Sequence, residues 1–307
     1  MSRPLVAVWM ITYNHEGYIS KALDSVLFQS TDFEFMVYLG EDCSLDNTRA
    51  ICIDYAEKYP RHIRLYLNKS NDHIANGLGI YNACLSSGAK YIAMLEGDDF
   101  WTDSTKLRKQ VEFLEANPDF SLSFTDCRII NSNGDTTKAS KISADLKRDI
   151  YQTELVQGLS IPTLGVMFRV LPELGQVLME IARVKNGDTF LFAILGQFGK
   201  AHYHHDIEPA VYRQHSGGVW SGTDRLYRFE SAIHTFGVLQ EVIQPKYKRI
   251  VIKALVRKWG HLASTAFKTA KYIVFLRAYV HTLLLSIRYL YFRPAVSMHL
   301  RLLKRLE

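Results

Sequence analysis

Tyr91 to Trp101 reads YIAMLEGDDFW, an apolar run closed by Glu96, Gly97, Asp98 and Asp99. A run of that length and character is a buried strand. Three carboxylates within four positions repel one another unless a cation or a polar ligand lies between them. Gly97 removes the side chain where backbone must turn or admit a ligand. Carboxylates suit hard divalent ions such as Mg2+ and Mn2+, and open α/β sheets bind ligands beyond the carboxyl ends of their strands. Taken alone, the stretch is equally an acidic strand-to-loop turn. The flanking chain decides.

Upstream, Leu5 to Thr12 is a strand, Tyr13 to Gly17 a turn, and Tyr18 to Gln29 carries apolar residues at helical spacing. Phe33 to Leu39 is a second strand ending in Gly40-Glu41-Asp42, and Thr48 to Tyr59 a helix that Asp46 or Asn47 can cap. Ile63 to Leu67 is a third strand, and a polar loop (Asn68 to Gly77) leads to a short helix, Leu78 to Ser87. This β-α-β-α-β-α-β order predicts an α/β fold with a mostly parallel sheet flanked by helices. Polar groups follow each strand (Thr12-Tyr13-Asn14, Glu41-Asp42, Asn68, then the acidic cluster), which sets them along one sheet edge. Downstream, the pattern predicts a helix over Lys106 to Asn117 and a strand over Ser121 to Asn131. A polar loop over Gly134 to Asp149 and a strand over Ile161 to Arg169 follow. Helices are expected over Leu171 to Arg183 and Thr189 to Phe198, a strand over His202 to Tyr212, and a Gly-rich loop over Arg213 to Gly222.

The 307 residues carry a net charge of +6, unevenly spread. Residues 245–307 hold 14 Lys/Arg and one acid, so the rest is slightly acidic. The expected division is a catalytic domain over 1–244 and a basic amphipathic helical tail over 245–307. Four scattered cysteines, Cys43, Cys52, Cys84 and Cys127, fit free thiols in a reducing compartment. A strand-like start at Leu5 leaves no room for a signal peptide, and no apolar run reaches spanning length. The expectation is a cytoplasmic protein, peripheral on the cytosolic face of a membrane.

Several motifs in order resemble family-2 glycosyltransferases of the GT-A fold, over roughly residues 4–222: ITYNHEGYISKALDSVLFQS, GEDCSLDNTRAI, EGDDFWTDSTKLRKQVEFLEANPDFSLSF, NGD at Asn186 to Asp188, and VYRQHSGGVWS. The chain departs from the family at Glu96, often Asp, and at Ser104, usually Pro. The resemblance implies inverting transfer of a sugar from a nucleotide-diphosphate donor, UDP favoured, to a hydroxyl of a glycan or lipid-linked acceptor in surface polysaccharide or glycoconjugate synthesis.

On that reading Asp99 is the direct ligand of Mg2+ or Mn2+, Asp98 contacts ribose or metal, and Glu96 is a secondary member. The metal neutralises the leaving diphosphate. Asp42 offers a carboxylate to a base N–H, and Thr12, Tyr13, Asn14 and Glu16 line the neighbouring loop for base and ribose; helix capping by Asp42 and solvent exposure of Glu16 are the alternatives. Asp188 is the candidate general base, with plain N-capping as its alternative. Arg213 and His215 precede Gly217-Gly218 on a loop placed to close over diphosphate oxygens. Trp101 and Trp220 are candidates for stacking on sugar or base, or for ordinary packing. His202, His204 and His205 lack the partners that complete a zinc set.

The tail from Tyr272 to Phe292 is apolar with Arg277, His281 and Arg288 on one face, the pattern of a helix lying on an anionic membrane surface. Packing on the catalytic domain or on a second subunit is the alternative. No motif supports nucleic-acid binding. A sugar-nucleotidyltransferase would want a Gly-rich, Lys-bearing phosphate loop, which ITYNHEGY lacks. A non-catalytic, membrane-attached binding module would have lost Asp188 or the acidic turn; both are present.

Overall fold

The computed structural model describes residues 3–175, 179–215 and 223–296. Its strands are β1 (Val6–Thr12), β2 (Phe35–Glu41), β3 (Ile63–Leu67), β4 (Tyr91–Glu96), β5 (Phe120–Phe124), β6 (Cys127–Ile130), β7 (Thr136–Lys138), β8 (Met167–Arg169), β9 (Lys200–Tyr203) and β10 (Ala210–Arg213). Seven form one sheet in the order β3-β2-β1-β4-β8-β5-β9, and three form a second, β10-β6-β7. In the large sheet only β8 runs against its neighbours, β4 and β5. The expected mostly parallel α/β sheet is the observed one.

Alternation along the strands sends side chains to two faces. Val6, Val8 and Met10 join a core with Ile19, Leu23 and Val26 of α1 (Ile19–Leu27), Cys52 of α2 (Thr48–Lys58) and Leu107, Val111 and Leu114 of α4 (Lys106–Ala116). Ala7 and Trp9 face the other core, with Ile80 and Tyr81 of α3 (His73–Ser86) and Phe190 to Leu195 of α6 (Gly187–Leu195), which follows a short α5 (Gln152–Leu155). That second core continues through α7 (Arg225–Val242) and α8 (Pro245–Lys268) to Ala278 of α9 (Tyr272–Arg288).

Four expectations are corrected. The strand over Ser121 to Asn131 is two strands in different sheets, broken at Thr125 and Asp126. The buried Asp126 carboxylate draws in the amides of Cys127 (2.8 Å), Lys141 and Ile142 (3.1 Å each) and the Lys147 ammonium (2.9 Å), and a straight strand cannot supply those donors. His202 to Tyr212 likewise divides between β9 and β10. The strand over Ile161 to Arg169 shrinks to β8, with a 3-10 turn at Thr163–Gly165 before it. Helix α3 starts five residues early, at His73, because Asp72 caps it through the Ala75 amide (3.0 Å). Within Leu171 to Arg183, residues 176–178 lie outside the described residues, and Met179–Arg183 is a 3-10 helix.

Candidate active site

Pairing brings the strand ends together. Thr12 lies opposite Glu41 of β2, and Ile11 opposite Glu96 of β4. Gly97 donates its amide to the Ile11 carbonyl at 2.9 Å, and a Cβ there would stand 2.6 Å from Thr12 Oγ1. Only glycine lets the acidic turn pass so close to β1.

The two following carboxylates take different roles. Asp98 Oδ2 meets His215 Nε2 at 2.9 Å and His15 Nε2 at 3.9 Å. Burial works to raise its pKa, but the His215 hydrogen bond and the nearby His15 ring bring it below the usual value. Asp99 is buried and accepts the Arg213 amide at 2.8 Å. Burial, then the charges of Asp98 and Glu96, push its pKa well up. Glu96 is pushed to about 7, first by burial and then by Asp98, and its Oε2 is buried without a hydrogen-bond partner. The three crowded carboxyls have too little positive charge around them for all to be readily ionised.

Among the described residues, His15, Asp98 and His215 form the one group of three whose ligand atoms lie within 4.8 Å of one another. Asp99, the expected direct metal ligand, stands outside this set and instead fastens β10 to the acidic turn. Strand β10 closes over that turn through the Phe100–Val211 bridge, the Arg213 Nε bond to the Asp98 carbonyl (3.2 Å) and the Arg213 guanidinium over Tyr18 (4.4 Å). His215 packs beside Tyr18 and His15, with ring centres 5.2 and 5.8 Å away.

The candidate donor loop is stitched to the start of α2. Asn14, at φ 54°, donates its amide to Ser44 Oγ (3.0 Å) and accepts the Leu45 amide (2.8 Å). The Glu16 amide donates to Asp46 (3.1 Å), and the Glu16 carboxylate accepts the Asn47 amide (2.9 Å). Thr12 is buried and contacts His15 Nδ1 at 3.2 Å; Tyr13 is half-buried. Asp42 is buried too, and both oxygens already have donors: Asn68 Nδ2 (2.9 Å) and the Asp72 amide (3.1 Å) on one, Asn71 Nδ2 (2.9 Å) on the other. It fastens the 68–72 loop, and a base N–H would share oxygens already in use.

Asp188, in the first turn of α6, accepts the Thr189 amide at 2.7 Å. Desolvation raises its pKa, against that bond and the charge of Lys141. Lys141 acts in the same sense on Glu96 and Asp99, so one cation lies within electrostatic reach of both Asp188 and the acidic turn. Of the two readings offered for Trp101, ordinary packing is the one observed. The residue is 4% exposed and its Nε1 donates to the Leu164 carbonyl (2.7 Å), so the ring packs in the core rather than presenting a face to a sugar. Trp220, with residues 216–222, lies outside the described residues. His202 stacks on Phe113 (3.6 Å) and pairs with Asp149, while His204 pairs with Asp206.

His15, Tyr18 and Lys141 were not singled out by the sequence reading. The first two lie in the quoted ITYNHEGY segment. Lys141 sits in a polar loop that Asp126 and the Cys127 carbonyl fold back, its ammonium 3.9 Å from the centre of the Tyr212 ring.

A mainly parallel sheet with carboxylates and imidazoles gathered at its carboxyl edge is an α/β fold with a ligand-binding edge. The model of "Glycosyl transferase family 2" matches residues 7–171, and the chain belongs to that family. It is a glycosyltransferase that works on a nucleotide sugar. A Mycobacterium tuberculosis relative, "Uncharacterized protein Rv1520", is 30% identical over 265 residues, 83% of this chain and 73% of its own. Escherichia coli WfgD, a "UDP-Glc:alpha-D-GlcNAc-diphosphoundecaprenol beta-1,3-glucosyltransferase", is 31% identical over 131 residues, 42% of this chain and 48% of its own. Among solved structures, S. aureus TarS 1-349 in complex with UDP-GlcNAc superposes with a TM-score of 0.62 at 17% identity, covering 91% of this chain and 81% of that one. Mannosyltransferase PcManGT from Pyrobaculum calidifontis, in complex with GDP-Man and Mn2+, gives 0.55 at 17% identity, covering 100% and 89%. The fold is GT-A.

Proposed function

We propose that the enzyme is an inverting, divalent-cation-dependent transferase that moves a sugar from a UDP-sugar to a hydroxyl of a glycan or lipid-linked acceptor. The carrying observation is the His15–Asp98–His215 cluster; the Lys141 charge that reaches Glu96 and Asp99 also reaches Asp188. Two imidazoles and a carboxylate suit Mn2+ better than Mg2+, which prefers all-oxygen surroundings. The unpartnered Glu96 oxygen and the raised Asp99 carboxyl fit a seat short of positive charge. A cation held by Asp98, His215 and His15 would neutralise the departing diphosphate.

The protein groups divide the remaining work. Asp188 takes the proton of the acceptor hydroxyl as its oxygen bonds to the anomeric carbon. The bond from that carbon to the diphosphate breaks on the opposite side, which inverts the centre. Arg213 and Lys141 add positive charge beside the leaving group. The nucleoside lies along Thr12 to Glu16 and Asp42. The UDP preference draws on WfgD and TarS; the acceptor class draws on WfgD. We also assign residues 1–244 the catalytic role and 245–307 the anchoring of the enzyme on a membrane.

The test is a thermal-shift and hydrolysis screen of UDP-, GDP- and dTDP-sugars with Mn2+ or EDTA, run on wild type, Asp98→Asn and His215→Ala. UDP-sugars should stabilise and turn over in wild type with Mn2+ only, and the variants should lose that response by about a hundredfold. Equal response in EDTA would remove the metal; preference for another nucleotide would remove UDP.

A further inference from the structure

A concavity with none of the acidic-turn residues in its lining lies where α7, α8 and α9 meet the segment before α6. It has a volume of about 450 Å³, with Trp259, Leu262, Tyr227, Glu230, Lys185 and Arg277 in its lining. Trp259 and Leu262 are buried and form an apolar floor, whereas Lys185, Glu230 and Arg277 are exposed. The Arg277 guanidinium lies 5.8 Å from the Trp259 ring centre. Among the described residues, neither Lys185 nor Arg277 forms an ion pair, so two cations face the opening against the single carboxylate of Glu230.

Position ties the cavity to the reaction. Lys185 stands three residues before Asp188, at most about 10 Å along the chain. The Asn186 amide donates to Thr235 Oγ1 at 3.1 Å, and Thr235 follows His234, another residue of the cavity wall. The candidate base and the cavity therefore share one packed unit.

Helix α9 supplies the second observation, because its polarity is reversed. Small and polar Ala278, Thr282 and Ser286 are its buried residues, while Ile273, Leu276, Val280, Leu284 and Ile287 are exposed. A soluble helix does the opposite. No helix among the described residues is long and apolar enough to cross a membrane. Residues 245–296 carry 11 Lys/Arg and no acid, so a second copy would bring like charges together, whereas anionic lipid complements them. Arg277 adjoins Leu276 of this stripe in sequence.

We propose that the cavity receives the phosphate-bearing head of a lipid-linked acceptor, with Lys185 and Arg277 as its cationic contacts and α9 resting on the bilayer that delivers it. This rests on the transferase reading above. The apolar floor takes the first isoprenoid or acyl carbons, the cations take the phosphate oxygens, and the sugar beyond the phosphate points toward Asp188.

The experiment is calorimetric titration of the full chain with farnesyl diphosphate, with EDTA and excess UDP present to keep the donor site out of the measurement. Farnesyl diphosphate should bind and farnesol should not. Arg277→Ala and Lys185→Ala should each weaken binding about tenfold or more, with Arg277→Lys between wild type and Arg277→Ala. Should Arg277→Ala melt without cooperativity, Lys185→Ala on its exposed segment carries the test alone. Equal affinity in wild type and the folded variants, or equal binding of farnesol, overturns the proposal. Hydrolysis of nucleotide sugar by wild type without acceptor separates the two readings. Diphosphate binding without that hydrolysis removes the donor reading and keeps the cavity; hydrolysis without diphosphate binding does the reverse.

Discussion

Asp188 must be ionised to take a proton, yet desolvation pushes its pKa up while Lys141 opposes that push. Asp188→Asn is expected to lower kcat about a hundredfold or more while leaving donor affinity within about threefold; lost donor binding would refute its role as base. Because kcat needs the anion, it should fall as pH drops through the Asp188 pKa. Lys141→Met removes a charge that favours the anion, so the acidic limb of the kcat profile should move to higher pH. An unmoved limb would separate Lys141 from the reaction. Residue by residue, the sequence showed the carboxylates well, because Glu96, Asp98 and Asp99 fall within four positions and Asp188 follows a legible glycine. It did not show which oxygen points where. Asp99 turned out to bond the Arg213 amide, 114 residues away, and no local pattern carries that information. Lys141 was hidden for the same reason, since its loop is placed by Asp126.

At the scale of an element, α4 holds an unusual tenant. Lys106 is buried, donates to Gln110 Oε1 at 2.6 Å and lies 4.3 Å from the centre of the Trp101 ring. Burial lowers its pKa from 10.5 to about 7. A depressed folded pKa gives stability that is present above the unfolded value and lost as pH falls through the folded one. Wild type should therefore gain stability between pH 7 and about pH 10, relative to Lys106→Met, which lacks the titrating group. Urea midpoints at three pH values across that window give the answer, and parallel curves would show that Lys106 stays charged. The helix itself was readable from spacing, as were β1 to β4. The later strands were not, because β5 to β6 and β9 to β10 read as continuous strands although each pair divides between two sheets. Strand-forming composition does not record a change of sheet.

For the whole molecule, charge asymmetry was plain in the sequence, and so was a helical tail. Its packing was less so: α8 completes the core beneath α6 and α7, while α9 turns its aliphatic side outward. Replacing Ile273, Leu276 and Leu284 together by Glu should abolish cosedimentation with vesicles containing anionic lipid, because three charges replace the apolar face. Undiminished sedimentation would assign binding to the lysines and arginines alone, and raised salt would then release the protein.

The bond from Asp99 to Arg213 also bears on how the chain is made. Strands β1 to β4 and their helices occupy the first hundred residues, so all their pairings, the widest of them between β1 and β4, close within that stretch. The clasp over the acidic turn joins residues 114 apart, and such distant closures come late in folding. During synthesis the four-strand unit can assemble while β10 is still being made. A nascent chain therefore carries an open, unclasped acidic turn until Arg213 emerges, and the competent seat appears only after β10 has been made.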